Sequence, residues 1–324
     1  MSLRVHVLEE YEESVLDDLR ARLAREVALS TGDIAPETND YQVLVAGVPS
    51  REHLATAANL HTLIIPWSGV PKRTLALLQE FPNVAVYNLH HNAAPVAEMA
   101  MTLMLAATRW LIPVDRSMRR NDWRAREAKD ICLLLEDRTC LILGYGAIGR
   151  RIARMCHGFG MKVLAVKRDA APSQDEIAEI FPVKDLKALL PRADVVFVCV
   201  PLTPDTRGML GADELEALPV GATVVNIARG SIIDEGALFQ ALVQNRIRAG
   251  LDVWYNYPDD ESELVGTSPS AYPFHHLDNV VMTPHIGFKS DRTDELRVKE
   301  LAVMLNELAT GKSLPNRVDI SREY

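Results

Sequence analysis

Apolar and polar positions follow two successive regimes along this chain. Near the amino terminus LRVHVL (3–8) predicts a short strand, and from Glu9 to Val27 the residues Val15, Leu16, Leu19, Leu23 and Val27 recur at helical spacing. After a Gly/Asp/Pro loop come the buried strand YQVLVAG, the strand LHTLIIPW, a helical TLALLQEF and the strand NVAVYN. From Thr139 onward the pattern is cleaner, with six strands expected at TCLILG, MKVLAVK, DVVFVCV, TVVNIA, RAGLDVW and NVVMTP and helical patterns between most of them. Alternation of this kind specifies parallel sheets covered by helices. Between the regimes, the apolar stretch from Val96 to Val114 is interrupted by Glu98 and Arg109. It falls short of a membrane span and predicts a long, almost fully buried helix. Helical crossings between two domains are expected near 96–119 and 292–309, the last helix stopping at Gly311.

The most informative segment is LILGYGAIGR, residues 141–150. An apolar strand runs into Gly144, Gly146 and Gly149 and then into a helix, and glycines there let backbone approach a pyrophosphate while the helix start points unpaired N–H groups and a positive dipole end at it. Gly144, Gly146, Ala147, Ile148 and Gly149 are therefore candidate cofactor-binding residues. A bare glycine triplet is common; the strand before it and the helix after it give this one its meaning. Six strands opened by such a loop predict a doubly wound dinucleotide-binding fold. Because that unit begins so late, it is expected to be inserted: residues 98–287 form it, and 1–97 with 288–324 form a substrate-binding domain.

Composition narrows the function classes. With 324 residues, 48% hydrophobic and 24% charged, the chain reads as an ordinary two-domain globular protein. A net charge of −9 argues against a nucleic-acid partner. Cys132, Cys140, Cys156 and Cys199 lack CxxC spacing and read as reduced thiols of a cytoplasmic protein. No secretory leader and no membrane association are expected. The adjacent pairs His90/His91 and His275/His276 lack metal-ligand spacing, so no metal is assigned.

Three further stretches, VCVPLTPDTRGML (198–210), VVNIARGSIIDEGAL (224–238) and VVMTPHIGF (280–288), join the glycine loop in order. Together they resemble the D-isomer-specific 2-hydroxyacid dehydrogenases, a family that includes phosphoglycerate, glyoxylate/hydroxypyruvate and formate dehydrogenases. VAEMAMTLMLAATR (96–109) is similar to that family's interdomain helix. The resemblance implies an α/β fold with the Rossmann domain inserted into a smaller flavodoxin-like substrate domain, a homodimer, and NAD(P)-dependent interconversion of a small 2-keto acid and a D-2-hydroxy acid. It implies that Arg229 binds the substrate carboxylate and polarises the carbonyl, as a planar, permanently charged guanidinium suits. His285 would exchange the proton at the carbonyl oxygen. Pro201 and Thr206 would line the cofactor groove and Asp252 approach the nicotinamide carboxamide, although Asp252 also reads as a strand-end cap. Backbone N–H groups of Ser68, Gly69 and Val70 would hold the carboxylate beside Trp67 as an apolar wall; a plain β-turn is the competing reading of PWSGV.

Two departures stand out. The family pairs its histidine with a glutamate, whereas DVWYNYP puts Tyr257 at that place. Either Asp259, Asp260 or Glu261 supplies a carboxylate from the next loop, or His285 works at a lower pKa. Second, the acid expected at the end of the second strand is replaced by Lys167, followed by Arg168. Two cations welcome a 2′-phosphate, favouring NADP(H), while Asp169 reaching the ribose keeps NAD(H) open. The resemblance also admits a dinucleotide-sensing interaction protein of the same fold, or a formate- or phosphite-type dehydrogenase.

Overall fold

The computed structural model describes residues 2–9, 11–33, 39–129, 132–168 and 170–322, and its chain contacts separate two compact units, 1–92 with 289–324 and 93–288. The first unit opens with β1 (Leu3–Val7), α1 (Glu13–Arg22), β2 (Val27–Thr31), β3 (Val43–Val45), α2 (Arg51–Ala55), β4 (Thr62–Ile65), α3 (Lys72–Leu78) and β5 (Ala85–Asn88). All five strands are parallel in the order β2-β1-β3-β4-β5, the flavodoxin-like order. The predicted helix 9–27 is shorter than expected because its end is decided from far away. Asn306 accepts the N–H of Ala24 at 2.8 Å and donates to the carbonyl of Arg22 at 2.9 Å, so the chain leaves the helix at Leu23 and Val27 begins a strand. The polar His6 in β1 is only 1% exposed, and both ring nitrogens are satisfied, by Ser30 Oγ at 2.9 Å and Gly32 O at 3.0 Å.

The second unit contains α4 (Ala93–Thr108), α5 (Leu111–Met118), β6 (Thr139–Leu143), α6 (Ala147–Gly158), β7 (Lys162–Lys167), β8 (Ser173–Gln174), β9 (Ala178–Pro182), α7 (Leu186–Leu189), β10 (Val195–Val198), α8 (Ala212–Ala217), β11 (Ala222–Asn226), α9 (Glu235–Val243), β12 (Ile247–Leu251) and β13 (Val280–Met282). The eight-stranded sheet runs β13-β12-β11-β10-β6-β7-β9-β8, parallel except for the β8–β9 edge pair. Counted from the glycine loop, β9-β7-β6-β10-β11-β12 is the 3-2-1-4-5-6 order of dinucleotide-binding sheets. The sequence pattern alone did not reveal β9, the third strand of that order. The chain then returns to the first unit through α10 (Thr293–Ala309), with Gly311 at φ +74° just beyond it.

The long helix expected over 96–119 is two helices. Trp110 takes a left-handed φ of +56°, and Arg248 from β12 donates to the Thr108 carbonyl at 3.0 Å while stacking over the Trp110 ring at 5.3 Å. A cation at a helix carboxyl end satisfies its last carbonyls and the negative dipole end. Within its own unit α4 is already covered: a Cβ on Gly250 of β12 would stand 2.8 Å from Leu103 Cβ, so strand and helix touch at backbone distance. No buried residue lies in α5, and Leu111 and Met118 are exposed.

Candidate active site

The glycine loop joins β6 to α6 as expected. Gly144 has φ +99°, and a Cβ there would lie 2.8 Å from the carbonyl oxygen of Cys199; a Cβ on Gly149 would collide with the carbonyl oxygen of Gly144. Both glycines are thus demanded by the protein's own packing. Gly146 differs, since a Cβ there meets nothing within 4 Å. The space beside it is open, and the N–H groups of Ala147, Ile148 and Gly149 find no acceptor among the described residues. An open cradle ringed by unpaired donors at the start of a twelve-residue helix fits a pyrophosphate.

Lys167 is exposed at the carboxyl end of β7 and Arg168 follows in a turn, and neither forms an ion pair among the described residues. Asp169 lies outside the described residues. Pro201 is part-buried in the loop after β10. Thr206, expected to line the groove, is only 6% exposed and its hydroxyl is spent inside its own loop, donating to Pro201 O at 2.6 Å and accepting the Thr203 N–H at 2.8 Å. It braces that loop.

Three neighbouring strands, β11, β12 and β13, carry the reactive candidates beyond their carboxyl ends: Arg229 after the first, Tyr257 after the second and His285 after the third. Parallel strands deliver their outgoing loops to one edge of the sheet, where open α/β proteins bind ligands. Close packing fixes the first two loops together, because a Cβ on Gly230 would collide with the carbonyl of Trp254. Arg229 presents its side chain to solvent yet is crowded by protein, which pushes its pKa down from the ordinary value and leaves it a cation at neutral pH. Its loop is held by a residue that no sequence motif singled out. Asn226, 1% exposed at the end of β11, donates to Arg229 O at 2.9 Å and accepts the Ala228 N–H at 3.0 Å. A polar residue ending a buried strand was the available signal.

His285 has φ +57°, a conformation non-glycine residues avoid. Asp252 makes it tolerable. That carboxylate, 2% exposed, accepts from Thr283 Oγ1 at 2.7 Å, Ile286 N at 3.0 Å and Gly287 N at 2.9 Å, clamping both sides of the histidine. The cap expected of Asp252 is thus aimed at the His285 loop. The imidazole packs against Tyr257, with ring centroids 5.6 Å apart, and against Phe288 at 6.2 Å. Burial and the Arg229 cation lower its pKa from 6.5, opposed by Asp252. No carboxylate hydrogen-bonds to the ring among the described residues. Asp259, Asp260 and Glu261 are exposed, Asp260 being spent on Ser262 N at 2.8 Å, so of the two explanations for the missing glutamate the geometry supports a lowered pKa.

In the first unit, Trp67 packs against Gly47, where any Cβ would collide with its indole. Ser68, Gly69 and Val70 are part-buried, and their backbone N–H groups donate to nothing among the described residues. Asn88 anchors that turn by donating to Ser68 O at 2.6 Å. Among the described residues no group of three or more His, Cys, Asp or Glu is placed to hold a metal, and no helix is long and apolar enough to cross a membrane.

The family description "D-isomer specific 2-hydroxyacid dehydrogenase, NAD binding domain" matches residues 101–287. The chain is 32% identical over 279 residues to a glycerate dehydrogenase of Methylorubrum extorquens, covering 83% of this chain and 82% of that one. It is 36% identical over 257 residues to a hydroxypyruvate reductase of Thermotoga maritima, covering 78% and 79%. A D-3-phosphoglycerate dehydrogenase of Methanocaldococcus jannaschii is 29% identical, but this chain spans only 56% of its length. In fold it matches the crystal structure of a D-isomer specific 2-hydroxyacid dehydrogenase from Xanthobacter autotrophicus Py2 in complex with NADPH and MES, with a TM-score of 0.82 at 24% identity over the whole of both chains. A doubly wound nucleotide unit, an open glycine cradle and these matches together show that the chain belongs to the D-isomer-specific 2-hydroxyacid dehydrogenases, NAD(P)-binding oxidoreductases acting on CH–OH groups.

Proposed function

We propose that this chain reduces a small 2-keto acid of the glyoxylate or hydroxypyruvate type to its D-2-hydroxy acid, with NADP(H) preferred. The observation that carries this reading is the delivery of a fixed cation, Arg229, and a titrating imidazole, His285, to the ends of β11 and β13, two strands apart in one sheet. Gly144, Gly146, Ala147, Ile148 and Gly149 would hold the cofactor pyrophosphate, Lys167 and Arg168 its 2′-phosphate, and Pro201 would line the cofactor groove, while the buried Asp252, bound to Thr283, Ile286 and Gly287, supports the His285 loop in place of the expected contact with the nicotinamide carboxamide. When bound, the cofactor supplies the hydride. Arg229 binds the substrate carboxylate and polarises the carbonyl, and His285 in its charged form gives the proton that the carbonyl oxygen needs. In the reverse direction neutral His285 removes it. In the first unit, Trp67 and the free N–H groups of Ser68, Gly69 and Val70 are proposed substrate contacts. Residues 1–97 with 288–324 are accordingly the substrate domain and 98–287 the nucleotide domain, boundaries within a few residues of the two compact units.

Support for a homodimer comes from the exposed apolar residues Leu111, Met118, Trp123 and Leu134, since α4 itself is already covered within its unit. Light scattering at micromolar concentration tests it. Four free thiols, one of them the exposed Cys132, support a reducing, cytoplasmic setting. The deciding experiment for function is oxidation of NADPH and NADH with glyoxylate, hydroxypyruvate, pyruvate and phenylpyruvate, and cofactor reduction with formate and phosphite. Turnover of a 2-keto acid, faster with NADPH, is expected. Tight cofactor binding without turnover of any of them would favour the sensor instead.

A further inference from the structure

Tyr257 carries a hydrogen-bond donor with no acceptor among the described residues. Its phenolic oxygen accepts the Trp254 N–H at 3.0 Å, and its own proton is donated to nothing there. A phenol has one donor proton and two lone pairs, so the proton is left free to turn away from Trp254. Three observations place it. Tyr257 follows β12, the strand between those that lead to Arg229 and His285. Its ring lies 5.6 Å from that of His285, tilted by 58°. The phenol and the Arg229 guanidinium are close enough for each to perturb the other's titration. With 43% of the residue exposed, a ligand can reach it.

The exchange of glutamate for tyrosine changes both charge and hydrogen-bonding sense. A carboxylate at this place accepts hydrogen bonds and repels an anionic substrate; a phenol donates and does not. An O–H whose oxygen already accepts a hydrogen bond is polarised into a better donor, and Arg229, on the loop after the neighbouring strand, is a cation that attracts anions. We infer that Tyr257 is a substrate-binding residue whose O–H donates to a carboxylate oxygen of the 2-keto acid held by Arg229. Loss of the carboxylate beside His285 is thereby accompanied by a further donor for the substrate. This inference rests on the 2-keto acid reading above.

Its test uses Tyr257→Phe and Tyr257→Gln, with two readouts: KM for the 2-keto acid, and the dissociation constant of oxamate, an unreactive 2-keto acid analogue, on the NADPH-loaded protein. Removing the O–H in Tyr257→Phe raises both on the order of ten- to hundredfold, while kcat stays within about threefold because a carboxylate contact is equal in ground and transition states. Tyr257→Gln restores a donor and an acceptor and recovers most of the loss. Unchanged KM and oxamate affinity in Tyr257→Phe, with NADPH affinity retained, overturn the inference, as does a fall in kcat alone, which would move the phenol to the carbonyl oxygen. Should Tyr257→Phe lose NADPH, Tyr257→Gln decides: near-native oxamate affinity supports the role and a hundredfold loss refutes it. Wild-type protein that binds oxamate through Tyr257 but turns over no 2-keto acid sinks only the catalytic reading, whereas failure to bind oxamate sinks both.

Discussion

One sheet is finished in two different ways at its carboxyl edge. After β6 the loop works by having no side chains: Gly146 leaves open space, Gly149 lets α6 start against the Gly144 carbonyl, and the helix N–H groups are left unpaired. After β11 and β13 the loops are held from inside by buried polar side chains, Asn226 gripping both sides of the turn before Arg229 and Asp252 gripping the turn around His285. The difference suits the role proposed for each loop. A phosphate is recognised by backbone, so side chains would obstruct it. A guanidinium and an imidazole must be aimed, so the backbone beneath them is clamped, even at the strain of a positive φ on His285.

The sharpest way to break the comparison is to remove what the clamped loops present. Arg229→Ala and His285→Ala should each lower kcat/KM for the 2-keto acid by about a thousandfold with NADPH affinity within a factor of about two; steady-state kinetics beside fluorescence titration would show it, and retained turnover in either would refute the site. The glycine loop should divide in two. Gly149→Ala drives a Cβ into the Gly144 carbonyl and should lower the melting temperature and abolish cofactor binding, whereas Gly146→Ala meets open space and should keep the native melting temperature while weakening NADPH binding on the order of tenfold or more. Equal thermal damage in both would mean the cradle is merely structural. Asn226→Ala leaves the Ala228 N–H and Arg229 carbonyl without their partner, a cost of about 1–3 kcal/mol for each unsatisfied group. Thermal unfolding together with a drop in kcat of about ten- to hundredfold would be expected, and an unaltered kcat would reduce Asn226 to a packing residue.

The smallest effect is a displacement along the pH axis. On the proposed mechanism ketoacid reduction needs protonated His285, whose pKa is lowered from 6.5 by burial and by the Arg229 cation. The rate is therefore full below the lowered pKa and lost as pH rises through it, with a midpoint under 6.5. Tyr257→Glu places an anion beside the ring and should move that limb upward by about one unit; a kcat/KM profile that does not move would show that the ring is governed by other groups. The same depression favours the neutral histidine in the folded state. Its contribution to stability is present above 6.5 and lost as pH falls through the folded value.

How far the site was legible depends on how its residues are recognised. Gly144, Gly146 and Gly149 could be read because a strand, a glycine spacing and a helix are local signals. Arg229 and His285 became candidates through the family resemblance of the short motifs around them, each of which follows a strongly apolar strand. Asn226 could not, since it became important only when Ala228 and Arg229 turned back onto it. Thr206 was placed in the groove by resemblance, and its geometry turns it inward to Pro201. β9 (AEIFP) and β2 (VALST) escaped notice because neither shows clean alternation; each exists because β7 or β1 offers it a parallel edge. The break between α4 and α5 was invisible because Arg248, which caps it, is remote in sequence.

By itself the sequence determined that this chain alternates strand and helix and that a glycine loop joins a strand to a helix at 144–149, because periodicity and glycine spacing act over a few neighbouring residues; Arg229 and His285 were pointed to by the family resemblance of their motifs. Tertiary structure decided where helices stop, which strand completes the nucleotide sheet, and that Asp252 supports the histidine loop through Thr283, Ile286 and Gly287. Those outcomes depend on hydrogen bonds between segments distant in the chain, and their partners exist only once the sheet has set its order.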